Sequence, residues 1–215
     1  MKLSNIDDGF QKEQPDVIEE EASRNITDVL KDFGITYADM ENTAMEFYVP
    51  HPGIETEEKA RIIFKREFDY AINDSNLQLL IYTALLLEKE GQKGTLPGLS
   101  KKSYEQDLSF IVADEILGEA VAGYIGGTKG KFEFVRFDKN KPGILKHLGM
   151  FMDDIIGGLL GGVSANMYSR AMSEAAEDEG TQKMNPDEMN TKKTNAKETK
   201  TDETNAKEMK AEENK

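Results

Sequence analysis

The sequence predicts an all-α protein, a single helical bundle of about six helices between disordered polar termini. Three observations predict it. Apolar residues recur at spacings of three and four through the middle of the chain. No β-rich block is long enough to pair a sheet. Beyond Met172 the aromatic and branched aliphatic residues stop altogether. Residues 1–21 therefore read as a loose segment, 22–172 as the helical domain and 173–215 as a disordered charged tail.

The first helix, 22–33, carries Ile26, Val29, Leu30 and Phe33 and ends at Gly34. Thr36 is placed to cap a second, which holds Met40, Ala44, Met45, Phe47 and Tyr48 until Pro50-His51-Pro52 stops it. A third opens at Thr56-Glu57-Glu58, where carboxylates suit the positive end of a helix, and carries Ile62, Ile63, Phe64 and Phe68. Ser75 caps a fourth. Its Leu77, Leu79, Leu80, Ile81, Ala84, Leu85 and Leu87 make it apolar nearly all round, the pattern of a helix at the centre of a bundle. A loop follows from Gly91 to Lys102, turning at Pro97-Gly98. The fifth helix spans 106–125. The alternating stretch Lys131 to Phe137 reads as a short strand or extended link. The sixth helix runs from about Met152 to Arg170.

The tail holds an imperfect repeat beginning at Thr194 and again at Thr204, and it cannot bury enough apolar surface to offset the entropy of ordering. With 41 acidic against 27 basic residues, the net charge of -14 argues against nucleic acid as a partner and suits a cation binder. No cysteine is present, which excludes disulfides, thiolate metal sites and cysteine nucleophiles. The N-terminus lacks the apolar core of a signal peptide. The best apolar run, Ile155 to Val163, falls short of the roughly 18–20 residues that span a bilayer. The expected location is cytoplasmic, without stable membrane insertion; a homo-oligomer is left open.

Three acidic sites carry the chemistry: Asp114-Glu115 within Ile111 to Gly118, Asp138 in the loop Phe137 to Gly143, and Asp153-Asp154 opening the last helix. Each has an ordinary reading. Asp153 and Asp154 suit a helix first turn, at about 0.3–1 kcal/mol each, and Asp138 suits a turn. Asp114-Glu115 is different, because its apolar flanks imply burial, and a buried carboxylate without a partner takes up a proton or a cation. Small residues at 113, 118, 120, 122 and 123, and at 157, 158, 161, 162 and 165, make both helices thin. Close packing would bring the acidic pairs to one point beside Asp138. Four or five carboxylate oxygens suit a hard cation such as Mg²⁺. Lys139 and Lys141, next to Asp138, are candidates to hold a substrate phosphate.

Other motifs fail on spacing. The run from Asp138 puts Pro142 at a calcium-ligand position and Gly149 where the closing Glu belongs. Gly126 to Lys131 has the wrong spacing for a phosphate loop and reads as a turn. His51 and His147 belong to no nucleophile–base set.

In order and separation, the segments Val112 to Gly118, Asp138 with Lys141-Pro142-Gly143-Ile144, and Asp153 to Gly158 resemble the phosphatidylglycerophosphatase A family, its soluble branch in particular. The resemblance covers roughly 32–170 and is strongest after Asp107. It implies an all-helical bundle that hydrolyses phosphate monoesters with Mg²⁺. It also implies metal positions at Asp114, Glu115, Asp138, Asp153 and Asp154, with Asp114, Glu115, Asp138 and Asp154 catalytic. Membrane members of the family have long apolar helices and act on a lipid, from which this chain departs. The soluble archaeal members that hydrolyse α-ribazole 5′-phosphate in cobalamin biosynthesis are more similar, and that small-molecule monoester is the expected substrate. Two alternatives stand beside it. One is the same chemistry on a lipid-linked or other phosphomonoester. The other is a non-catalytic helical interaction module with the tail as docking arm.

Overall fold

A computed structural model describes residues 24–107 and 110–183, with side chains up to residue 178. The predicted loose segment 1–21 and the repeat-bearing part of the tail lie outside the described residues. Among the described residues the architecture is all-α, as expected: seven α-helices and one 3₁₀ turn, with no strand.

Local chemistry sets the helix starts. Asn25 caps α1 (Ile26–Asp32), and Thr36 with Asp39 forms a reciprocal capping box on α2 (Tyr37–Met45). Thr56 caps α3 (Glu57–Ile72). The cap of α4 (Ser75–Lys93) is Asp74 rather than Ser75, its carboxylate accepting from the amides of Asn76 and Leu77. A short α5 (Lys101–Glu105), started by Ser100, overlaps the end of the stretch expected to be loop, and the helix expected from 106 begins only at Ala113.

Two expectations are corrected here. The central helix is not α4, whose Leu79, Tyr82 and Leu86 are exposed. It is α7 (Met150–Lys183), buried at every position from 150 to 165. Glycine explains the exchange: α7 has no side chain at 157, 158, 161 and 162, so neighbouring backbones close in around it. The helix also runs well past Arg170. Buried Glu67 of α3 pairs with Arg170 at 2.7 Å and with Arg66 at 3.1 Å, and Arg66 reaches on to Glu174 at 2.8 Å.

The second correction is the stretch 131–137, which is helical. It belongs to α6 (Ala113–Asn140), which folds back on itself at Gly127, where φ is +58° and ψ -146°. Residues 113–126 and 128–140 form two antiparallel arms, a reversal that a side-chain-bearing residue would resist. The apparent alternation arose because Phe132 is apolar yet exposed, while Gly130, Phe134 and Phe137 are buried at helical spacing. Glycines set how closely the arms and α7 approach. A Cβ on Gly130 would overlap the Ala122 carbonyl, and one on Gly118 would stand 2.7 Å from the Phe134 ring. Against α7, a Cβ on Gly118 would stand 2.6 Å from the Asp154 carbonyl oxygen. The close approach inferred from small residues is therefore present, and it joins three helical segments rather than two.

After α6 the chain passes Lys141 and Pro142 into a 3₁₀ turn, Gly143–His147. Thr43 of α2 anchors it by accepting from the Ile144 amide at 3.0 Å. Gly143 (φ +49°) sits so close to Thr43 that a Cβ there would overlap the hydroxyl.

Candidate metal centre

The hairpin register builds the site. Ala122 lies against Gly130 and Gly118 against Phe134. Asp114 stands one helical turn before Gly118 on the first arm, and Asp138 one turn after Phe134 on the second. Both arms pack on α7 where Asp153 and Asp154 emerge. Asp138 is thus in the last turns of α6 and not in a loop.

The acidic sites converge. Carboxylate oxygens of Asp114, Glu115 and Asp154 lie within 4.8 Å of one another. Asp114 and Asp154 are each only 3% exposed, and Glu115 is half-buried. The flanks of Asp114 are more open than expected, with Val112 and Ile116 facing out. Asp138 and Asp153 gather one step away, around Lys141. Its Nζ stands 3.0 Å from Asp138, 2.8 Å from Asp153 and 2.9 Å from Asp154. Lys141 is itself left-handed (φ +41°), a conformation that costs a non-glycine residue roughly 1–3 kcal/mol. That conformation ends α6 and turns the ammonium inward. Lys139, in the last turn of α6, is exposed.

The electrostatics are those of an undercompensated cluster. Burial, and then a hydrogen bond with Glu115, pushes the Asp114 carboxyl well above the carboxylate range. Burial also raises Asp153 to about 7 and Asp154 to about 6, although the hydrogen bond to Lys141 works the other way in both. For Lys141 burial opposes the charge, but hydrogen bonds to Asp153 and Asp154 outweigh it and the pKa rises. Two buried oxygens, Glu115 Oε2 and Asp153 Oδ1, have no partner. Asp114, Glu115 and Asp154 form an all-oxygen set, with Glu115 Oε2 unpartnered, whose chemistry suits a hard divalent cation.

Helix capping does not explain Asp153 and Asp154. Their carboxylates turn to Lys141, while the start of α7 is served from elsewhere: the buried carboxylate of Glu88 accepts from the Phe151 amide at 3.1 Å. Glu88 also accepts from the Tyr104 hydroxyl and from Gln92 at 3.1 Å. Sequence reasoning passed over Glu88 and Tyr104. A signal was present, since Glu88 continues the buried stripe Leu77, Ile81, Ala84, Leu85 with a charged residue. His147 is exposed, and His51 packs edge-on against Tyr168, in neither case beside the acidic cluster.

Fold and site together define a helical protein in which a glycine-packed hairpin and a central helix converge buried carboxylates. The chain belongs to the family of the uncharacterized protein MJ1330 of Methanocaldococcus jannaschii, with which it is 37% identical over 101 residues, 45% of this chain and 76% of that protein. No protein-family model matches the sequence. Solved structures share the fold. A protein of unknown function from Bacillus stearothermophilus superposes with a TM-score of 0.59 at 22% identity, over 68% of this chain and 97% of that one. The low temperature requirement C protein of Listeria monocytogenes gives 0.57 at 21%, over 68% and 94%. Protein ypjQ of Bacillus subtilis gives 0.57 at 20%, over 69% and 93%. No described helix is long and apolar enough to cross a membrane.

Proposed function

We propose that this protein is a Mg²⁺-dependent phosphomonoesterase of the phosphatidylglycerophosphatase A type, with α-ribazole 5′-phosphate as its substrate. The observation that carries the reading is the convergence of Asp114, Glu115 and Asp154 within 4.8 Å, beside buried carboxylate oxygens that lack partners. The named substrate rests on the motif resemblance alone.

Asp114, Glu115 and Asp154 would hold the ion, with Asp153 and Asp138 beside them. Mg²⁺ bound there would neutralise phosphate oxygens and favour attack by water. Asp138, on the opposite arm, is positioned to orient that water. Lys141, already among the carboxylates, supplies the inner positive charge for a phosphate, and exposed Lys139 supplies an outer one. The thin helices and the Glu88 anchor hold these groups in place, so their geometry is set before substrate arrives.

The test is phosphate release from α-ribazole 5′-phosphate by the purified chain, with Mg²⁺ and with EDTA. Release that needs Mg²⁺ and exceeds that from other monoesters supports both chemistry and substrate. Mg²⁺-dependent release only from a lipid-linked or other monoester keeps the chemistry and discards the pathway. No release from any monoester leaves the cluster as part of an interaction module.

A further inference from the structure

Beside the acidic cluster the outer face of the α6 hairpin opens into a groove of about 510 Å³. Val112, Ile116, Phe132 and Val135 line it, with Phe134 beneath. Phe132 is 72% exposed and Ile116 59%, although both sit on helical arms. Glu115 and Asp138 line the groove as well, so it is continuous with the carboxylates proposed to hold the ion. At the far end Glu119, Lys131 and Thr128 close the apolar stretch, Glu119 and Lys131 meeting at 3.0 Å across the hairpin.

We infer that this groove is the leaving-group subsite, and that it takes a fused aromatic ring system. The inference rests on the phosphomonoesterase reading for the position of the phosphate. An apolar wall with a few polar groups at its ends is the usual form of a small-molecule site. Size and boundary select the occupant. From Val112 to Glu119 the wall is about 10 Å long, two helical turns. That length suits a fused ring lying against Phe132. A lipid tail would run past the Glu119–Lys131 pair and set its methylenes on charge. Ring heteroatoms, in contrast, find donors and acceptors there. Glycerol phosphate would leave the groove unfilled.

The experiment compares 1-naphthyl phosphate with glycerol 3-phosphate at saturating Mg²⁺, in the full chain and in Phe132→Ala and Ile116→Ser. Exposed Leu79→Ser, on α4, is the control. The expected result is a preference for the naphthyl ester expressed in KM. In either groove variant that preference falls roughly tenfold, and the control leaves it unchanged. An equal loss on both esters, or none, overturns the subsite. If the wild-type chain hydrolyses neither ester, the phosphatase reading is left to the α-ribazole 5′-phosphate assay, and the groove is judged by fluorescence titration with 1-naphthyl phosphate. Saturable binding weakened by Phe132→Ala keeps the subsite, and no binding ends it. Sedimentation of the same proteins supplies the remaining outcome. A wild-type dimer that Phe132→Ala dissociates would make this face a subunit interface and overturn the proposal.

Discussion

The Lys141 ammonium lies 2.9 Å from Asp154 Oδ1, and Asp154 also supplies an oxygen to the group that includes Asp114 and Glu115. One carboxylate thus serves two positive charges, the internal lysine and any ion held by its other neighbours. The two compete for electron density on the same group and repel each other across it. Lys141→Met should therefore bind Mg²⁺ or Mn²⁺ more tightly, by roughly tenfold in calorimetric titration. It should also melt earlier in EDTA, because Asp138, Asp153 and Asp154 lose their shared counter-ion. Unchanged affinity would mean that lysine and ion do not share the site.

Among the described residues Asp114 has no cationic partner, so its charge is a cost to the folded chain that ion binding would offset. Asp114→Asn should lower Mg²⁺-dependent phosphate release by about 100-fold or more. It should at the same time raise the melting temperature in EDTA at pH 8 and leave the helical circular dichroism intact. A catalytic group that destabilises its own fold gives this opposed pair of effects. A variant that loses stability and activity together would point to a structural role instead.

Stability should depend on pH in the direction opposite to that of an ion-paired surface carboxylate. Asp153 and Asp154 are raised in the folded chain to about 7 and about 6, and Asp114 is raised as well. The folded state therefore holds more protons than the unfolded state above the ordinary carboxylate pKa. Their contribution is complete below that value and is lost as pH climbs through 6 and 7. In EDTA the melting temperature should fall between about pH 5 and pH 8. Added Mg²⁺ should flatten that fall by binding the deprotonated form. Identical profiles with and without Mg²⁺ would argue against ion binding at these residues.

Adjacent glycines on α7 should respond in opposite ways. A Cβ on Gly158 would overlap the backbone of Gly118, so Gly158→Ala must push the hairpin away, at a cost of roughly 1–3 kcal/mol. On Gly157 it would meet the Phe134 and Leu145 side chains at 3.6–3.7 Å, ordinary contact. Gly157→Ala should be neutral, or stabilising by up to about 1 kcal/mol through helix propensity. Urea denaturation of the two variants measures both, and equal effects would refute the seam.

The helical class, the cap at Thr36, the opening of α3 at Thr56 and the acidic pairs were legible because each is written in neighbouring residues. The stretch 131–137 was misread because exposed Phe132 obscures a helical period that only burial exposes. The primacy of α4 was misread because hydrophobicity counts side chains, whereas the position of α7 depends on glycines that have none. Glu88 was legible in principle, as a charge on an apolar stripe, but its use as the anchor of α7 depends on residues 63 positions away.

The sequence by itself determined the all-α class, the starts of α2 and α3 and the set of carboxylates and lysines available to a site. Those properties follow from backbone propensity, capping and ionisation, which act over a few residues. Only the tertiary structure decided that 113–140 reverses at Gly127, that Asp114, Glu115 and Asp154 converge, and that Lys141 turns inward to three aspartates. It also set the burial that raises the carboxylate pKa values. These are matters of approach between distant backbones, governed by where a missing Cβ lets two helices touch.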